Sequence, residues 1–312
     1  MDDPAKLRNF ALIGHAGSGK TSLGDALLFF AGATKRLGKV ADGTSVLDFY
    51  PEEIERKSTF TLSVATFTWN GYTFNLIDPP GFMDFAGDVA SALRAADVAV
   101  LVINATGGVE VGAEKYWDLA QQAGLPRIIF INQMASEKAK EVTDEVRNSF
   151  GSTAVPLQVT QGIGPLFKGV FSILGANVPA DLIDEADERK EQLIEALAEV
   201  SDALAEKYLD GKPISEDEIA ATLKQGIAQG KIAPVLYGDA LAAIGLGPLL
   251  DLIVKEFPSP LDIPLQPCVR PEGRSVKPDS KGPLAALVFK TVSEPHVGEI
   301  SYVRVFSGEL KA

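Results

Sequence analysis

The chain has 312 residues, 46 % apolar and 23 % charged, with 29 Lys and Arg against 42 Asp and Glu for a net charge of −13. That length suits two or three domains, and the composition is that of a globular chain, neither disordered nor fibrous. No apolar run reaches the roughly 18 residues of a membrane span, Met1-Asp2-Asp3-Pro4 lacks the features of a signal peptide, and the surplus acid excludes a coat for naked DNA or RNA.

Up to residue 150, short apolar runs alternate with helical patterns. Strands are predicted at 10–13, 74–77, 98–103 and 127–131, and helices at 22–30, 84–96, 113–123 and 136–150. Such alternation predicts an α/β fold with a doubly wound, mostly parallel sheet, whose ligands sit beyond the carboxyl ends of the strands. The pattern breaks between 155 and 232, where a Gly-rich stretch leads into a long acidic helical segment, read as an inserted α+β subdomain. A strand at 233–237 and a helix at 246–257 resume the first domain. Pro258, Pro260, Pro264, Pro267 and Pro271 then form a linker, followed by strand-like runs at 284–291 and 300–306. So few strands leave open edges, so the β domain is expected to be incomplete. The predicted divisions are 1–154 and 233–258 for the α/β domain, 155–232 for the insertion, and 259–312 for the linker and β domain. The single cysteine, Cys268, permits no intrachain disulfide and points to a reducing cytoplasm.

Directly after the first predicted strand stands Gly14-His15-Ala16-Gly17-Ser18-Gly19-Lys20-Thr21, with Ser22 opening the helix. This is a complete G-x-x-x-x-G-K-[ST] phosphate loop. Its glycines let backbone N–H groups approach phosphate oxygens, and the helix N-terminus adds its dipole. Lys20 can reach the β- and γ-phosphates, while the Thr21 hydroxyl can ligate Mg2+. After the second predicted strand comes Asp78-Pro-Pro-Gly81. Its carboxylate suits an Mg2+-bound water, and the Gly81 amide is free to meet a γ-phosphate.

With these motifs in place, the chain resembles translational GTPases of the elongation factor G family. Leu76-Ile-Asp-Pro-Pro-Gly-Phe-Met-Asp-Phe85, Glu55-Arg-Lys-Ser-Thr59-Phe-Thr61 and Ala105-Thr-Gly-Gly-Val-Glu110 are similar to stretches of that family. So are Pro258-Ser-Pro-Leu-Asp-Ile-Pro264 and Pro283-Leu-Ala-Ala-Leu-Val-Phe-Lys290. The resemblance implies a P-loop G domain followed by the start of a β barrel, GTP/GDP and Mg2+ as cofactors, and a ribosome-associated role. It implies that Thr21, Thr59 and Asp78 serve the metal, that Thr59 covers the γ-phosphate when GTP is bound, and that Lys20, Thr59 and Gly81 are the residues closest to the chemistry.

Departures from the family fall on separate functions. The guanine-reading N-K-x-D is here Asn132-Gln133-Met134-Ala135, which lacks both the base-pairing carboxylate and the lysine that packs along the base. The family's G-S-A is Gly238-Asp239-Ala240; Asp239, or Glu137, is a candidate substitute carboxylate. The histidine that orients the attacking water is Phe82, and a phenyl ring neither accepts a proton nor holds a water. Gly17 replaces a frequent family Asp. His15 is expected to be structural and His296 to lie on a surface. Trp69 and Trp117 are expected to pack in the interior.

Between Asp181 and Glu218, 14 acidic residues face Arg189, Lys190, Lys207 and Lys212, so ten of the 13 net negative charges fall within 38 residues. Leu193, Leu197, Val200, Leu204 and Tyr208 recur at helical spacing, giving one apolar face on a helix whose other faces are acidic. A solvated face is one reading. The resemblance offers another, contact with the mobile stalk protein of the large ribosomal subunit. The leading expectation is a monomeric, cytoplasmic, GTP-binding switch on the ribosome with impaired hydrolysis. A non-catalytic ribosome-binding module with a degenerate nucleotide site stays open beside it, as does a P-loop protein that also accepts ATP.

Overall fold

Strand β1 (Leu7–Ile13) divides its side chains between two apolar layers, Phe10 and Leu12 on one side and Ala11 and Ile13 on the other. Successive residues of a strand point to opposite faces, so the unbroken apolar run at residues 10–13 must be covered on both. The computed structural model, which describes residues 3–262, 266–267, 275–294 and 298–311, shows how. Cys268 and His296 lie outside the described residues.

The main sheet has seven strands in the order β2 (Ser63–Trp69), β3 (Tyr72–Asp78), β1, β4 (Val98–Asn104), β5 (Arg127–Asn132), β9 (Ala233–Tyr237) and β6 (Ala154–Pro156). Only β2 runs antiparallel, against β3. Helices α1 (Lys20–Phe30) and α9 (Leu246–Glu256) cover one face through Leu23, Leu27, Leu249 and Ile253. Helices α3 (Ala86–Ala95), α4 (Val111–Gln122) and α5 (Ala139–Phe150) cover the other through Val89, Leu93, Tyr116, Val142 and Val146. Trp117 is buried there beneath the Arg127 guanidinium, 4.1 Å from its ring centre. Trp69 donates its indole N–H to Asp251 at 2.9 Å. The doubly wound α/β architecture read from the sequence is present, and the first turn after β1 leads straight into α1.

Beyond β6, a hairpin of β7 (Gln158–Gln161) and β8 (Gly169–Ser172) precedes α6 (Ile183–Ala198), α7 (Asp202–Leu209) and α8 (Glu216–Ala228). The single helical run expected through 193–208 is two helices. Ser201 takes an extended backbone (φ −134°, ψ 115°) and Ser201-Asp202 begins a new helix, as that residue pair favours. Leu193, Leu197 and Leu204 are buried as their spacing suggested, whereas Tyr208 is 40 % exposed and donates to Glu195 at 2.9 Å. Leu193, Leu197, Ile219, Leu223 and Ile227 join the same apolar layer as α9, so these helices share a core with the main sheet.

The strands after the linker form two antiparallel pairs, β10 (Gln266–Pro267) with β11 (Ser275–Val276) and β12 (Ala285–Glu294) with β13 (Gly298–Ser307). Arg304 anchors β13 to the sheet domain with bonds of 2.8 and 3.0 Å to the buried Asp97, which also accepts from Asn9 at 2.6 Å. Burial raises the Asp97 carboxyl, opposed by the nearby Arg304 charge and these hydrogen bonds. Lys290 of β12 donates to the Leu62 carbonyl.

Candidate nucleotide site

The carboxyl ends of β1 and β3 meet at the loop of residues 14–19. Gly19, at the N-cap of α1, sits at φ +90°, and a Cβ there would lie 2.5 Å from the Asn132 side-chain amide. Only glycine takes that conformation and that approach without strain. The Lys20 ammonium is buried and donates to the carbonyls of Gly14 at 2.9 Å and His15 at 3.0 Å. Burial lowers its affinity for the proton, an effect opposed by the negative charges of Asp78 and Asp48. Gly81 closes against this loop: a Cβ there would collide with the Lys20 ammonium and stand 2.7 Å from the Ala16 nitrogen.

Four oxygen-bearing side chains run in a line beside Lys20. Thr21 Oγ1 donates to Asp78 Oδ2 at 2.7 Å, Thr21 and Thr59 hydroxyls stand 2.8 Å apart, and Thr59 Oγ1 donates to Asp48 Oδ1 at 2.7 Å. Asp78 and Asp48 are buried, and burial raises both carboxyls, Asp48 to about 6. For Asp78, the Lys20 charge and the Thr21 hydrogen bond oppose the rise. The second oxygen of each carboxylate, Asp78 Oδ1 and Asp48 Oδ2, has no hydrogen-bond partner among the described residues.

Orphaned buried carboxylate oxygens next to two hydroxyls are the donor set of a hard, oxygen-liganded cation, and Mg2+ fits it. Among the described residues no group of three His, Cys, Asp or Glu side chains could hold a metal. A cation here would therefore be shared between Thr21, Thr59, Asp78 and ligand oxygens. A cavity of about 220 Å³ opens at this point, lined among others by Ala16, Gly17, Lys20, Ser22, Thr59 and Gly81.

Thr59 reaches the site because residues 50–61 fold back on themselves. Helix α2 (Pro51–Arg56) ends there, and the buried Glu53 accepts from the amides of Phe60 at 2.9 Å and Thr61 at 3.0 Å. Thr59 is thus a buried loop residue at the phosphate site. Asp48 and Glu53, which set its position, were missed by sequence reasoning: Asp48 belongs to no local motif, and Glu53, which also accepts from the Tyr50 amide at 3.4 Å as the capping box of α2, does its work on Phe60 and Thr61 across a turn.

Phe82 also lines the cavity, is 42 % exposed, and stacks on Phe60 with centroids 6.2 Å apart and planes 5° from parallel. Its backbone carbonyl accepts from the Tyr116 hydroxyl at 3.0 Å. His15 turns toward the start of α4, with Nε2 3.4 Å from Glu110 Oε1. Within the loop, Gly17 is further tied by its carbonyl to the Asn104 amide at 3.2 Å.

The other end of the loop meets Asn132 and Gln133, and Asn132 in turn meets the turn of Asp239 and Ala240. Asn132 Oδ1 accepts from the amides of Gln133 at 2.9 Å and Ala240 at 3.0 Å, while its Nδ2 reaches the Ser18 carbonyl at 3.5 Å. Asn132 therefore ties three segments together. The Ser18 hydroxyl is buried without a partner. Asp239 Oδ1 accepts from the amides of Leu241 and Ala242, each at 3.1 Å, which caps the local turn. Glu137 is exposed.

Residues 5–259 match the family described as Elongation factor Tu GTP binding domain. The chain belongs to this family. It is 35 % identical to elongation factor G of Thermotoga maritima, over 99 % of this chain and 48 % of that protein. A crystal structure of a Thermus thermophilus protein superposes with a TM-score of 0.85 at 30 % identity, covering 98 % of this chain and 46 % of that one. The chain thus spans about half the length of these relatives. The chain shares the fold of this elongation-factor-like translational GTPase family.

Proposed function

We propose that this chain binds GTP and GDP with Mg2+ and serves as a nucleotide-dependent switch of translation on the ribosome. The supporting observation is the side-chain line Asp78–Thr21–Thr59–Asp48, which joins the phosphate loop, the second strand end and the Thr59 segment beside the buried Lys20. Lys20 and the loop amides hold the phosphates. Thr21, Thr59 and Asp78 hold Mg2+, which neutralises phosphate charge, and Gly81 senses the terminal phosphate. Release of Thr59 after phosphate loss frees its segment, an order–disorder switch.

Hydrolysis is slow in this reading. Phe82 occupies the cavity wall where a water-orienting group is needed and has no atom to hold that water. Positioning and charge stabilisation by Lys20 sustain a residual rate. The ribosome is the partner, and the acidic surface of 181–218 meets the large-subunit stalk protein in the cytoplasm.

A second reading, relaxed base choice that admits ATP, draws on Asp239. The Oδ1 atom that could read a base already accepts two turn amides. Titration with fluorescent GTP, GDP and ATP analogues in Mg2+ tests both readings. Saturable micromolar binding of GTP is expected, and equal affinity for ATP supports the second. No saturable binding below millimolar concentrations contradicts both and leaves a ribosome-binding module with a decayed site. Phosphate release by Phe82→His should exceed that of the wild type; an unchanged rate removes the role assigned to this position.

A further inference from the structure

The phosphate cavity has a second lysine on its wall. Lys57 lines it together with Ser58 and Thr59. Lys57 is the residue on which the chain reverses after α2: its backbone is left-handed (φ 52°, ψ 46°), and its N–H caps the helix by donating to the Glu53 carbonyl. Glycine suits such a position best, because a Cβ crowds the backbone there. Only four non-glycine residues among the described ones have positive φ, and two of them, Lys57 and Gln133, line this one cavity. Conformational cost concentrated at one site is a mark of function.

The ammonium of Lys57 is also uncommitted. Among the described residues it enters no ion pair and no hydrogen bond, and it is exposed. Lys20, in contrast, is fixed to two loop carbonyls. Arg56, the neighbouring cation, lies over the Phe60 ring at 5.8 Å. Asp48 and Asp78, bonded to the cavity-lining Thr59 and Thr21, put two carboxyls beside Lys20. An exposed, uncommitted cation on the wall supplies further positive charge as a polyphosphate enters.

We propose that Lys57 is a phosphate-binding residue that contacts the terminal phosphate of a bound nucleoside triphosphate. It makes the Thr59 segment selective for triphosphate over diphosphate. The inference rests on the nucleotide-binding reading above and adds a ligand contact from the segment that carries Thr59. Because the charge arrives with that segment, closure and recognition of the terminal phosphate become one event.

The test compares wild type with Lys57→Gly, Lys57→Ala and Lys57→Arg in titrations of fluorescent GTP and GDP with Mg2+, alongside thermal melts. Lys57→Gly should melt at or above the wild type, since it relieves the left-handed strain. Both Lys57→Gly and Lys57→Ala should weaken GTP about tenfold, the loss expected for one charge-assisted contact, and change GDP less than about twofold. Lys57→Arg should retain GTP affinity. Equal loss for GTP and GDP, or GTP affinity unchanged in Lys57→Gly, overturns the proposal while leaving nucleotide binding intact. Absence of GTP binding by the wild type overturns the nucleotide reading and this one together.

Discussion

The phosphate site and the acidic helices α6–α8 both rest on carboxylates, in opposite physical regimes. At the phosphate site Asp48 and Asp78 are buried, each has an orphaned oxygen, and burial raises both carboxyls. On the helices the acids are mostly exposed, and Glu218, bonded to Lys207 and to the Ser215 amide and hydroxyl, is lowered to about 2. Buried charge without a full set of partners is costly and persists where a ligand completes it. Exposed charge costs little, contributes little to folding, and acts on partners through a field that salt screens. In the proposed reading, a ligand completes the first region, and the second acts on an approaching partner.

The sharpest break in that contrast is Lys20→Ala. It should reduce GTP affinity at least about 100-fold, since it removes the one buried cation facing the phosphates. Next comes Asp78→Asn, which should act in two directions. Because burial favours the neutral carboxyl, the neutral amide should raise the stability of the nucleotide-free protein by about 1 kcal/mol, read in a denaturant titration. The same change should abolish the Mg2+ dependence of GTP binding. Lower stability without nucleotide would show that the Asp78 charge is already satisfied and needs no ligand.

Reversing three exposed acids together, Glu191→Lys, Glu199→Lys and Glu206→Lys, should leave the melting temperature within a few degrees. Association with ribosomes should weaken, most visibly at low salt. Unchanged ribosome association would reduce this surface to a solvated face. The smallest effect belongs to Glu218→Gln. A carboxyl with a depressed folded pKa stabilises the fold above its unfolded pKa and loses that contribution as pH falls through about 2. The variant should therefore differ slightly from wild type at neutral pH and converge with it in acid.

The same contrast explains what was legible in the sequence. The phosphate loop and Asp78-Pro-Pro-Gly81 are short, local and set by ligand chemistry, so spacing alone announces them. Strands β1, β4 and β5 are buried on both faces and stand out through unbroken apolar runs at 10–13, 98–103 and 128–131. Edge strand β2, partly exposed and with Ser63, Thr66 and Thr68 interrupting its apolar residues, does not, and neither does the three-residue β6. Asp48 and Glu53 remained silent because their work is done across space, on Thr59 and on the amides of Phe60 and Thr61. The break at Ser201 shows the limit of periodicity: apolar spacing continued through a point where the backbone did not.

The central claim is that the buried oxygens around Lys20 await a metal-bound nucleoside triphosphate. Calorimetric titration of the wild-type chain with GTP, in Mg2+ and then in excess chelator, tests it most directly. Saturable one-to-one binding in the micromolar range that weakens at least about tenfold without the metal is the predicted result. Binding indifferent to Mg2+, or none below millimolar GTP, would contradict it.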